Sequence, residues 1–308
     1  MKSRLPGLIV AVILAAGAVS IAQEPRPTFR GGATRVSLNV VVKDNQGRPI
    51  TNLLPRDFQV FDAGLPVPFE NIGTGEEGVS ISLLIDTSGS MALGPRLAAA
   101  KQALDMLMDQ FRPIDEVSLL TFDKRLTEIV PFTRDLQQIR KGFERIKPFG
   151  STSLNDAVAA AARELADRPS VRRAVVAITD GHDNSSELTA AAASRVASLI
   201  DVPVYVLSVT QPDRAVDASE LALEPVEGGN LARLDSLSGR TGGASFVAEA
   251  PAETHLAVRH ILNDLRAGYL FGFTPSETPG WHALTVRVSR KDAHVRTRAG
   301  FWVGARPF

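Results

Sequence analysis

The sequence predicts an α/β protein: a doubly wound, mainly parallel sheet, with a small β-rich domain formed from the N- and C-terminal flanks. Three observations carry that reading. The short runs Val79–Ile85, Val117–Phe122, Val175–Ile178 and Val204–Val209 are almost continuously apolar, as strands covered on both faces are. Segments with apolar residues at helical spacing separate them, and alternating strands and helices build parallel sheets. On either side of this centre the chain is extended, with punctuating turns and no convincing helix.

In chain order, residues 1–22 read as a secretory signal peptide. Lys2 and Arg4 precede an apolar run of 14 residues, Leu8 to Ile21, and small residues stand ahead of Gln23. That run is short of the about 20 residues a membrane span needs. The mature chain is therefore expected to be secreted or to reside in the periplasm or cell envelope, with no stable membrane span; an uncleaved anchor is the alternative. Residues 23–34 carry two Pro and two Gly and read as a linker. The N-terminal β segment, 35–77, alternates at Val36, Leu38, Val40 and Val42, turns at Asp44-Asn45-Gln46-Gly47, and extends again at Phe58–Phe61.

The central domain, 78–265, adds helices to its strands. Leu97, Ala100, Leu104, Leu107 and Phe111 share a face behind Pro95, a good first-turn residue. Leu136, Ile139, Phe143 and Ile146 mark a second helix, and Leu154, Val158, Ala161 and Leu165 a third. An Ala-rich helix is expected at 187–200, a loop from 211 leading to a helix at about 229–238, a short strand at Ala244–Val247 and a helix at about 252–265. In the C-terminal β segment, 266–308, strands are expected at Tyr269–Phe273, Ala283–Val288 and Val295–Arg298. Neither flank has many strands, so the two should pair into one small sheet or sandwich, with the central domain inserted between them.

Composition narrows the chemistry. The 308 residues suit about two domains. A 44% hydrophobic share with 22% charged is that of a chain with a real core. The 34 basic and 34 acidic side chains balance, and loss of Lys2 and Arg4 leaves the mature chain at −2. A nucleic-acid partner held by a basic surface is therefore not expected. With no cysteine, disulfides, thiolate metal sites and cysteine nucleophiles are excluded. A metal site must use oxygen, or some of the five histidines.

The first central strand ends in Asp86-Thr87-Ser88-Gly89-Ser90. Ligands of open α/β sheets bind at the carboxyl ends of strands. Here one carboxylate and two hydroxyls stand at i, i+2 and i+4, and Gly89 lets the loop curl. Gly150-Ser151-Thr152 ahead of a helix and Thr179-Asp180-Gly181 after the third apolar strand fall at the same kind of place. Oxygen ligands alone suit Mg²⁺, or Mn²⁺, rather than zinc. Each piece also has a plain structural reading: Thr152 as a helix cap, Asp180-Gly181 as a turn.

Asp86-Thr87-Ser88-Gly89-Ser90, the threonine of Gly150-Ser151-Thr152-Ser153-Leu154 and Ile178-Thr179-Asp180-Gly181 resemble the metal-ion-dependent adhesion site (MIDAS) of von Willebrand factor A domains, which have a Rossmann-like fold. The resemblance covers about residues 78–265, including Ser118–Phe122 and Thr241-Gly242-Gly243. The flanks look like those of the bacterial, Acidobacteria-type relatives of that family, through Val41–Gly47, Asp57–Asp62, Tyr269–Pro275 and Arg298–Trp302. Ser151 stands where a second glycine is usual, but the threonine is retained. The resemblance implies that Ser88, Ser90 and, in some states, Thr152 ligate the ion, with Asp86 and Asp180 acting mostly through water. It implies a non-enzymatic adhesion or scaffold module whose ion takes an Asp or Glu carboxylate from a partner protein.

Two other readings remain. One is a metal-dependent hydrolase with His182 or Asp183 as base; the other is an envelope protein whose metal site is vestigial. His255 and His260 are five apart, the wrong offset to share a helix face. Trp281 and Trp302 are expected in the core of the β domain, with surface residues that stack on glycan as the alternative. Arg287, Arg290, Lys291, Arg296 and Arg298 are expected to form the solvated face of an edge strand, or a patch for an acidic surface.

Overall fold

The centre is organised on strand β5, Val79–Asp86, all of whose residues are buried. It pairs in parallel on both sides, with β6 (Glu116–Phe122) and β8 (Arg172–Thr179). In this computed structural model, which describes residues 35–73, 77–168, 170, 172–209 and 230–304, the sheet runs on through β9 (Val204–Val209) and β10 (Ala244–Ala248). Its strand order is β10-β9-β8-β5-β6-β7, parallel except for β7 (Leu126–Thr133). The expected signal peptide and linker, and the connection from 211 to 229, lie outside the described residues.

Side-chain alternation along β5 splits the core in two. Ile81, Leu83 and Ile85 pack against α1 (Arg96–Met108), α2 (Leu136–Phe143) and α6 (Pro251–Ala267) through residues such as Leu104, Ile139 and Ile261. Leu84 faces α3 (Leu154–Leu165), α4 (Ala190–Ile200) and α5 (Asn230–Gly239), with Val158, Ala197 and Leu237. Ser82 and Ser118, also buried, satisfy each other at 3.2 Å. The fourth helix starts at Ala190 rather than 187, because the Thr189 hydroxyl accepts from the Ala192 N–H and caps it there. Strand β7 was not expected: only Val130 of its residues is buried, and it contains Pro131, which an edge strand tolerates. A Cβ on Gly243 would stand 1.8 Å from the Val204 carbonyl oxygen, so only glycine lets the chain turn into β10 here.

The flanks form two antiparallel sheets around one core. One has the order β13-β1-β11-β4, from Ala293–Arg296, Val36–Asp44, Tyr269–Phe273 and Glu70–Asn71. The other is β14-β12-β2-β3, from Gly300–Val303, Gly280–Val288, Phe58–Asp62 and Leu65–Val67. Both of these flank sheets pair residues from opposite ends of the chain, as in Val36 opposite Phe273 and Leu284 opposite Asp62. Leu38, Val40, Phe58, Val60, Phe271, Leu284, Val286 and Phe301 fill the space between them. Trp281 lies opposite Trp302 but is 42% exposed, so it does not enter that core as expected.

The basic run near the C-terminus also departs from expectation. Arg296 and Arg298 turn inward and join the sandwich to the central domain. Arg298, 4% exposed, pairs with Asp201 at the end of α4 and donates to the carbonyls of Ser198 and Ser37. Arg296 pairs with Asp264 of α6, whose other oxygen lies 2.7 Å from the Lys43 ammonium of β1. Asp264 is fully buried, and two cations compensate its charge. Arg172 closes the same end of α6 by donating to the Leu265 and Gly268 carbonyls at 2.9 and 3.0 Å.

His282, buried between the strands, has acceptors on both ring nitrogens: the Asp62 carboxylate at 2.6 Å and the Thr278 carbonyl at 2.7 Å. Two acceptors require two N–H groups, which is the imidazolium form. Burial opposes that charge, but the Thr278 carbonyl and Asp62 outweigh it and raise the His282 pKa.

Two stability experiments follow from these junctions. Asp264→Ala leaves Lys43 and Arg296 without their shared counter-charge and should cost about 3–5 kcal/mol in urea unfolding. The His282 pair should stabilise fully below the unfolded histidine value of about 6.5 and fade as pH rises through the higher folded value. His282→Asn should therefore destabilise the protein more at about pH 6 than at about pH 9; an equal loss at both would show that the pair carries no proton-linked stability.

Candidate metal centre

Chain connections leave β5 and β8 in opposite directions, β5 toward β6 and β8 toward β9, so a crevice opens between their carboxyl ends. The loops after β5, before α3 and after β8 meet there. Gly89 N–H donates to the Gly150 carbonyl at 2.9 Å, and Phe149 N–H to the Thr87 carbonyl at 2.6 Å. Gly150 has φ +101°, and a Cβ on it would approach the Asp123 carboxylate at 3.3 Å, so glycine is needed at this crossing.

Asp86 is fully buried. One of its oxygens accepts the Ser88 N–H at 2.8 Å and the other the Thr179 hydroxyl at 2.6 Å. Burial nevertheless pushes its carboxyl above the usual carboxylate range, with the nearby Asp180 charge adding a smaller push. The Ser88 and Ser90 hydroxyl oxygens lie 2.9 Å apart. Thr152 is buried, and its backbone is clamped by Asn184, whose side-chain oxygen accepts the Thr152 N–H at 2.9 Å while its own N–H donates to the Thr152 carbonyl at 3.1 Å. The N-cap of α3 is Ser153, so Thr152 does not hold that position. Asp180, also buried, faces the Arg96 guanidinium at 3.3 Å.

Four contributors escaped sequence reasoning in part or whole. The Thr179 hydroxyl holds both Asp86 and the Gly181 N–H, the latter at 3.0 Å. Asn184 clamps Thr152, Asp123 accepts the Ser153 N–H through its carbonyl at 2.8 Å, and Arg96 reaches Asp180 from α1. Only the polar run Asp183–Ser186 hinted at Asn184. His182 is exposed. The Asp183 carboxylate is taken up by the N–H groups of Asn155 and Ser186, at 3.0 and 3.1 Å, and so fixes the loop to the first turn of α3.

Among the described residues no three His, Cys, Asp or Glu side chains gather to hold a metal. The candidate ligands that the three converging loops carry are of another kind: the hydroxyls of Ser88, Ser90 and Thr152 and the carboxylates of Asp86 and Asp180, all oxygen. Such a set fits a hard divalent cation that keeps some of its waters.

Residues 81–182 match the family model of the von Willebrand factor type A domain. The chain is 25% identical over 218 residues to a UPF0353 protein of Mycolicibacterium paratuberculosis, across 65% of this chain and 64% of that protein. It thus spans slightly under two thirds of that relative's length. An aerotolerance-related membrane protein from Bacteroides fragilis superposes with a TM-score of 0.50 at 26% identity, over 60% of this chain and 99% of that one. A von Willebrand factor type A protein from Catenulispora acidiphila shares the fold at 11% identity and a TM-score of 0.51, over 88% of this chain and 76% of the other. So does proximal thread matrix protein 1 of the mussel byssus, in a structure whose MIDAS motif is occupied by zinc, at 15% identity and a TM-score of 0.50, over 73% and 50% of the chains.

Replacing Thr179 by Val keeps the shape but strips both hydrogen bonds from a buried carboxylate and a backbone N–H. Thermal or urea unfolding should register a loss of about 1–3 kcal/mol. No change would mean that another group takes over the Asp86 oxygen.

Proposed function

Taking this chain as a bacterial protein with a von Willebrand factor type A domain, we propose that it is an exported, non-enzymatic protein-interaction module. In this reading it captures an Asp or Glu carboxylate of a partner protein at a Mg²⁺-dependent site. The observation that carries the reading is the pair of serine hydroxyls 2.9 Å apart beside a fully buried aspartate, at the strand switch where α/β sheets bind ligands. Ser88, Ser90 and Thr152 would hold the ion, with Asp86 and Asp180 orienting its waters. When bound, the ion would offer an open, electrophilic position to a partner's carboxylate.

Export and an envelope location rest on the pattern of residues 1–22. The Bacteroides fragilis neighbour is described as a membrane protein, and among the described residues no helix is long and apolar enough to cross a membrane. The hydrolase alternative would use as base either Asp183, whose oxygens accept the Asn155 and Ser186 N–H groups, or His182, which is exposed.

The test is calorimetry with Mg²⁺ and Mn²⁺, with Zn²⁺ run beside them because the mussel protein's motif holds zinc, followed by capture of envelope proteins with and without chelator. Asp86→Ala and Thr152→Ala should each weaken ion binding by about tenfold or more, and partner capture with it, while circular dichroism is retained. Capture unaffected by chelator and by both substitutions would sink the reading.

A further inference from the structure

Arg96 is the first residue of α1 and sits at the rim of the candidate centre. Its guanidinium reaches the Asp180 carboxylate at 3.3 Å and the Ser90 carbonyl at 3.0 Å. The carboxylate contact is longer than the about 2.7–2.9 Å of a good charge-assisted bond, and the buried Nε has no hydrogen-bond partner. The seat is therefore incompletely satisfied. Beside it lies a cavity of about 220 Å³ between the starts of α1 and α6, lined by Arg96 itself and by Gln102, Ala248, Glu249, Pro251 and Thr254. The Glu249 N–H donates to the Glu253 carboxylate, and Glu249, itself exposed, is one of the residues that line the cavity.

Resting on the metal-centre reading above, we propose that Arg96 is a built-in cation that competes with a divalent ion for Asp180, and that the cavity gives its guanidinium a second seat beside Glu249. Asp86 and Asp180 bring two negative charges to the crevice, and Arg96 supplies one positive charge against them. A divalent ion held next to Asp180 faces that guanidinium as a like charge, so each weakens the other's hold on the carboxylate. An arginine at the very start of a helix can swing about its side-chain torsions without moving the helix, and the adjoining space is already open. Displacement then exchanges a long contact to Asp180 for an ion pair with Glu249. Ion affinity is set by this exchange as well as by the ligands themselves.

The test uses the intact chain, with Mg²⁺ and Mn²⁺ titrated calorimetrically into wild type, Arg96→Gln, Arg96→Lys, Glu249→Gln and the Arg96→Gln/Glu249→Gln pair, each checked for folding by circular dichroism. Arg96→Gln should tighten ion binding about tenfold, and Arg96→Lys, which keeps the charge, should stay near wild type. Glu249→Gln should weaken binding about threefold in wild type and have no effect once Arg96 is Gln, which a merely structural role would not produce. Unchanged or weaker binding in Arg96→Gln overturns the competition, and an equal Glu249 effect in both backgrounds overturns the second seat. Absence of ion binding in every folded variant removes the metal-centre reading itself, a result distinct from binding that ignores Arg96.

Discussion

A fully buried carboxylate at the end of a fully buried strand is the constraint on which the centre of this protein depends. Removing a charge from water costs several kcal/mol unless nearby groups compensate it. Asp86 is compensated from two directions: by the N–H two residues ahead on its own loop, and by the Thr179 hydroxyl across the sheet. The first bond curls the loop so that Ser88 and Ser90 present their hydroxyls together. The second ties the end of β5 to the end of β8. A loop held this way leaves Gly89 and Thr87 facing the 149–150 segment, and their backbone bonds complete the convergence of three loops.

The sandwich depends on a second buried carboxylate. Asp264 sits near the end of α6, where Lys43 from one flank and Arg296 from the other share its charge. Because the two cations come from opposite ends of the chain, the pair holds the sandwich strands and the central domain in one arrangement. Helix α6 spans 17 residues, about 25 Å. Its first turn lines the cavity beside Arg96, and its last turns carry Asp264 and the carbonyls that Arg172 closes. A single helix thus has one end at the candidate centre and the other at the flank junction.

Much of the centre was legible in the chain because strands covered on both faces must be apolar almost throughout, as 79–85 and 204–209 are. Elements that lie at an edge left weaker marks. Strand β7 is mostly exposed and carries Pro131, and Gly300–Val303 is too short to alternate visibly. The inward turn of Arg296 and Arg298 was hidden for a different reason. An arginine beside other basic residues reads as surface, and only its pairing with Asp264 or Asp201, distant in sequence, makes burial affordable in energy.

At the candidate centre the local sequence already contained Asp86, Ser88, Ser90, Thr152 and Asp180, since spacing within a loop and position at a strand end are local properties. Which neighbours hold those groups is not local. Thr179 meets Asp86 only through the register of β8 beside β5, Asn184 meets Thr152 only where two loops cross, and Arg96 reaches Asp180 only because α1 starts at the rim. Hydrogen bonds and ion pairs act over a few ångströms, so partners far apart along the chain are chosen by the packing of the sheet and helices, which no short stretch of residues encodes.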